Sequence, residues 1–139
     1  LPLGKGERVR EGREVVILSF GTLLPTALRV ADKLNATVCD MRWVKPLDEE
    51  LITTVSANHA LIVTLEENCI QGGAGSAVNE YLQMTGLVVP VLNLGLPDKF
   101  IDHGNHTELL AGVGLDTAGI LGSIKDRLSL LKGDQSAAV

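Results

Sequence analysis

The stretch from Ala60 to Leu82, ALIVTLEENCIQGGAGSAVNEYL, most constrains what this chain can fold into. It opens on an apolar, β-branched run of strand length, Leu61-Ile62-Val63-Thr64-Leu65, and breaks at Glu66-Glu67-Asn68. A glycine turn follows, Gly72-Gly73-Ala74-Gly75, and then a helix on which Val78, Tyr81 and Leu82 share one face. Ser76 offers a hydroxyl as the cap of that helix. Strand, acidic tip, glycine turn and helix make half of a βαβ unit, which calls for a parallel sheet with helices packed on it. A helix that starts after glycines leaves backbone N–H groups free for an anion. GGAGS lacks both the Lys-Ser/Thr ending of a P-loop and a full dinucleotide fingerprint, so a structural turn is the preferred reading.

The rest of the chain repeats the alternation. Residues 7–10 read as a short polar edge strand, and Val15-Val16-Ile17-Leu18-Ser19-Phe20 as a strand buried on both faces. Pro25 suits the first turn of a helix in which Leu24, Ala27, Leu28, Ala31 and Leu34 recur at helical spacing, with Asn35 as its terminator. Residues 36–41 form the next strand. Asp48 caps a helix that has Glu49 and Glu50 in its first turn and Leu51, Ile52 and Val55 on its core face. Residues 60–65 and 88–94 are the remaining strands, the latter placed toward an edge by Pro90. A short helix over 107–112 and a last helix capped by Asp116 complete the chain, the last with an apolar stripe of Ala118, Leu121, Ile124, Leu128 and Leu131. The expected fold class is α/β: a three-layer sandwich on a mostly parallel five-stranded sheet, with the first strand antiparallel at an edge. The expected organisation is a linker at 1–6, a domain at 7–132 and a disordered tail at 133–139. The chain starts Leu-Pro-Leu-Gly-Lys-Gly without a Met, which suggests a domain excised from a longer protein.

Length and charge narrow the function. A chain of 139 residues is one domain with room for a core. One Trp, one Tyr and two Phe give few platforms for base stacking, and a net charge of −5 opposes phosphate backbones, so no nucleic-acid partner is expected. No apolar run reaches the length of a membrane span. Cys39 and Cys69 lack metal or redox spacing and read as structural thiols in a reducing compartment.

Open α/β sheets bind ligands beyond the carboxyl ends of their strands. Here those ends are Ser19-Phe20-Gly21-Thr22, Asp40-Met41-Arg42, Glu66-Glu67-Asn68 and Asn93-Leu94-Gly95. Glu66 and Glu67 are candidates for acid/base work or for ordering a partner's loop, but adjacent residues on an extended chain point opposite ways and do not form a facing carboxylate pair. His103 and His106 flank Gly104 and Asn105, which disfavour the helix that would let them share a metal. His59 reads as a helix-end residue, and Trp43 as core or interface. Ser19 and Ser76 sit in no nucleophile-elbow sequence. These residues assemble no catalytic, cofactor-binding or metal site.

Three segments taken together carry a resemblance: Asp40-Met41-Arg42-Trp43-Val44-Lys45-Pro46-Leu47-Asp48, then Glu66-Glu67-Asn68 with Gly72-Gly73-Ala74-Gly75-Ser76, then Asn93-Leu94-Gly95-Leu96-Pro97-Asp98. With their order and spacing, the chain as far as Leu128 resembles the C-terminal, transketolase-type third domain of the 1-deoxy-D-xylulose-5-phosphate synthase family. The resemblance implies a parent enzyme that uses thiamine diphosphate and Mg²⁺, decarboxylates pyruvate and joins the two-carbon unit to glyceraldehyde 3-phosphate. The product feeds isoprenoid, thiamine and pyridoxal synthesis. It further implies that cofactor and substrates lie in the two preceding domains, with none in this fragment. The partners it implies are those N-terminal and central domains and the second subunit of a homodimer. The location it implies is cytoplasmic, or plastid for a plant-type source. The interface candidates are then Glu66, Glu67, Asn68, Gly72, Gly73, Gly75 and Ser76. Two alternatives stand beside this reading: an autonomous domain for a phosphorylated effector, and an E1-type β-subunit module that docks on a separate chain.

Overall fold

The structure is a computed structural model that describes residues 3–69, 73–96 and 110–137, with backbone alone at 68–69 and 134–137. Five strands, β1 (Glu7–Arg10), β2 (Val15–Phe20), β3 (Thr37–Asp40), β4 (Leu61–Cys69) and β5 (Val91–Leu96), form one sheet in the order β1-β3-β2-β4-β5. β1 runs antiparallel to β3, and every other pairing is parallel. Among the described residues the helices α1 (Leu24–Leu34), α2 (Glu49–Asn58), α3 (Ala74–Thr85) and α4 (Thr117–Ala137) cover the faces. This is the expected three-layer α/β fold.

β2 shows why the layers form. All six of its residues are buried and they alternate between two cores. Val15 and Ile17 join Ala27, Val30 and Ala31 of α1 and Ile120 and Ile124 of α4, whereas Val16, Leu18 and Phe20 join Ile52 and Val55 of α2 and Val78 and Leu82 of α3. Apolar residues at five of its six positions, all but Ser19, suit a strand covered on both faces.

The helix ends follow the local rules. Asn35 closes α1 in the left-handed region, at φ 54, and Gly86 closes α3 at φ 72. Asp48 caps α2 by accepting the Leu51 N–H at 3.1 Å, and Asp116 accepts the Gly119 N–H at 2.8 Å in the first turn of α4. His59 does more than complement a dipole. Its Nδ1 donates to the Val55 carbonyl at 2.8 Å, and its Nε2 meets the Thr37 hydroxyl at 2.7 Å, which itself accepts the Gly12 N–H. The end of α2 is thereby tied to β3 and to the β1–β2 turn.

Several boundaries differ from expectation. β4 continues through Glu66, Glu67 and Asn68 to Cys69, so the acidic tip is strand. β5 begins at Val91 and not at 88: Pro90 stands just outside it, where its carbonyl accepts the Ile62 N–H at 2.9 Å and its missing N–H costs no ladder bond. The edge position of β5 is as expected. α4 is described as far as Ala137, since one Gly in a helix costs only about 1 kcal/mol. Of the short helix expected over 107–112, residues 110–112 are described and helical. Asp102, His103 and His106 lie outside the described residues.

Cys39 is buried in β3, and that burial pushes its thiol up from 9.0 to about 11, against the lowering effect of nearby Arg8. The folded state therefore holds this proton more tightly than the unfolded state. Its contribution is fully present below pH 9 and fades as pH rises toward 11. Denaturant melts of the wild type should lose about 2–3 kcal/mol more than those of Cys39→Ala across that window. Parallel pH profiles for the two proteins would contradict this origin.

Candidate functional site

The sheet order places the topological switch at β2, because the chain leaves β2 for β3 on one side and returns to β4 on the other. A ligand of an open α/β sheet would sit at this carboxyl end. The sequence candidates do converge there. Ser19 lies in register with Asp40 and Leu65, Phe20 with Glu66, and Asn93 with Thr64.

What they do with one another decides the chemistry. Glu66 is 1% exposed and turns under α3. Its Oε1 accepts the Ala74 N–H at 2.9 Å, and its Oε2 accepts the Gly75 N–H at 2.7 Å. One carboxylate thus satisfies two of the free donors at the helix start, next to the positive end of the helix dipole. Ser76 is not the cap, contrary to the reading from sequence. Gly73 holds the cap position with no side-chain bond, and Ser76 lies within the first turn of the helix. Two of the amides that could have cradled a phosphate, those of Ala74 and Gly75, are filled by an internal anion.

Glu67 points the other way, as strand alternation demands. The Thr22 hydroxyl of the β2–α1 turn donates to its carboxylate, which spans the switch point between β2 and β4. Beside it the Thr64 hydroxyl donates to Asn93 Oδ1 at 2.6 Å, linking β4 to β5. Gly75 sits directly over this pair. A Cβ there would lie 2.8 Å from Asn93 Oδ1 and 2.9 Å from Thr64 Oγ1, so only glycine lets α3 approach so closely. On the far side Arg42, at φ 61, places its guanidinium 2.6 Å from Glu7 and 3.5 Å from Asp40.

Of the interface candidates, Glu66 and Gly75 are therefore interior elements that shape the start of α3 from within, while Glu67, Gly73 and Ser76 are half-buried. Gly72 and the Asn68 side chain lie outside the described residues. Ser19 Oγ and Trp43 Nε1 are buried without a hydrogen-bond partner among the described residues. Among those residues no group of His, Cys, Asp and Glu could hold a metal ion, and no helix is long and apolar enough to cross a membrane. The Glu66 clasp was missed from sequence because it joins residues eight and nine apart across a turn, beyond the reach of capping rules. Its visible signal was a glutamate closing an apolar strand just before a glycine turn.

The fold is shared with known proteins. The family model described as the C-terminal domain of transketolase matches residues 4–120. The chain is 58% identical over 133 residues to 1-deoxy-D-xylulose-5-phosphate synthase of Bordetella avium, covering 96% of this chain and 22% of that protein. The synthase of Cellvibrio japonicus is 56% identical over 131 residues, covering 94% and 21%. The chain thus spans about a fifth of the length of these curated relatives. Among solved structures, a split-gene transketolase described as an inactive beta4 tetramer superposes with a TM-score of 0.86 at 32% identity, covering 94% of this chain and 44% of that one. A transketolase mutant from Pichia stipitis superposes at 0.70 with 15% identity, covering 94% and 19%, and shares the fold.

Glu66→Gln leaves one acceptor for two buried amides and should cost about 1–3 kcal/mol in urea unfolding. Gly75→Ala should cost a similar amount, about 1–3 kcal/mol, by forcing α3 off the Thr64–Asn93 pair. Unfolding midpoints unchanged in both variants would contradict the clasp.

Proposed function

We propose, on the premise that the chain belongs to the transketolase C-terminal domain family, that it is the structural and dimerisation domain of a 1-deoxy-D-xylulose-5-phosphate synthase. The observation that carries this reading is the closed state of the strand ends. Glu66 fills the α3 N-terminus, Thr22 and Glu67 bridge the switch point, and Asn93 and Arg42 are held by Thr64, Glu7 and Asp40. A diphosphate would have to displace a buried carboxylate to reach these amides, which costs the bonds and leaves a charge unpaired. Thiamine diphosphate and Mg²⁺ fit poorly here.

In this proposal the parent enzyme condenses pyruvate with glyceraldehyde 3-phosphate, with loss of CO₂, in domains that precede this one. That reaction supplies isoprenoid, thiamine and pyridoxal synthesis in the cytoplasm. This domain packs against its neighbours and the second subunit of a homodimer and is inactive alone. The similarity to curated synthases supports it, as does the relative described as an inactive beta4 tetramer. That relative's split gene also favours one second reading, a module docking on a separately encoded chain.

The start of α3 is the surface offered for docking, where Gly73 and Ser76 are half-buried. Gly73 has φ −93, which any residue can adopt, so a side chain there need not disturb the fold. In a full-length synthase carrying this domain, Gly73→Asp and the uncharged Gly73→Gln are expected to lower both dimer affinity and activity about tenfold or more. Thermal melts of the isolated domain should show it still folded. A full-length variant that remains dimeric and active would overturn the assignment of this surface.

A further inference from the structure

Residues 3–6, read from sequence as a linker, run against the body of the domain. Gly6 donates its N–H to Asp48 Oδ2 at 2.8 Å, while Asp48 Oδ1 accepts the Leu51 N–H that starts α2. Asp48 is 6% exposed. One nearly buried carboxylate therefore serves both a helix cap and a clasp on chain 42 residues upstream.

The glycines show how closely this segment is seated. A Cβ on Gly6 would lie 3.0 Å from the Asp40 carbonyl oxygen, 3.1 Å from Leu51 Cδ2 and 3.2 Å from Met41 Cα. Gly4 adopts φ 74, and a Cβ there would meet Pro46 Cγ at 2.8 Å. The next residue, Glu7, is held by Arg42 at 2.6 Å. Lys5 and Glu50 meet at 3.4 Å with both side chains largely exposed, which adds little. A free tether would keep its backbone entropy, so contacts of this kind must outweigh the cost of ordering it.

We infer that Asp48 is a positioning residue: it turns residues 3–6 into a docked strap that is held in one place ahead of β1. What the strap does for neighbouring domains rests on the proposed function, whereas the strap is a property of this chain and is tested on it.

Trypsin cleaving after Lys5 reads the strap directly, because a protease needs the chain extended and free. Ser at position 48 still caps a helix but offers a single, shorter oxygen. Asp48→Ser is expected to release residues 1–5 about tenfold or more faster than wild type. Asp48→Asn keeps the shape with one acceptor oxygen and should also speed release. Hydrogen exchange at the Gly6 and Leu51 amides separates the two roles. Lost protection at Gly6 with Leu51 still protected supports the strap. Gly6 protected as in wild type in both variants would show that Asp48 acts only on the helix and overturn it. So would wild-type cleavage as fast as in a free peptide of the same sequence. None of these outcomes depends on the parent enzyme, so failure here and failure of the assembly experiment remain distinct.

Discussion

The bond on which the structure turns is the reach of Glu66 from β4 to the first two amides of α3. A carboxylate at 1% exposure is costly to bury unless both oxygens find donors. Here both do, at 2.9 and 2.7 Å, and the helix dipole adds to them. The clasp fixes where α3 starts, and with it the contact of Gly75 on Thr64 and Asn93 and the burial of Val78 and Leu82 against β2 and β4. A strand end, a helix start and one of the two cores thus depend on a single side chain.

The same bond shapes function. In many α/β folds the helix start facing the switch point is left open, and an anion completes it. In this chain the sequence completes it from within, and the Thr22–Glu67 bond crosses the neighbouring gap. Polar groups that look like a site when read one at a time are partners of each other. A domain organised so has shape rather than open donors to offer a partner, which is what the proposed assembly role requires.

Much of the fold was legible because it rests on local pattern. The largely apolar run of Val15 to Phe20, the helical spacing of Ala27 and Ala31, and the caps at Asn35, Asp48 and Asp116 each follow from short-range rules, and the structure places them as those rules require. The opposite facing of Glu66 and Glu67 followed from strand alternation alone. The helix start did not. Ser76 satisfied the local preference for a hydroxyl cap, but an acceptor folded in from β4 served two amides at once and placed the first turn earlier. Pro90 likewise marked the edge strand without showing that the strand begins after it. The second role of Asp48 was hidden for the same reason, since Gly6 lies 42 residues away. Pattern finds elements, and the bonds between distant elements decide which polar groups remain free.

The most direct measurement is a calorimetric titration of this 139-residue chain with thiamine diphosphate and Mg²⁺, then with pyruvate and with glyceraldehyde 3-phosphate. No saturable heat is expected with any of them, because the Ala74 and Gly75 amides that would take a phosphate are held by Glu66. Saturable binding that is lost or altered in Glu66→Gln would place a ligand at the start of α3 and contradict the reading of this domain as a scaffold.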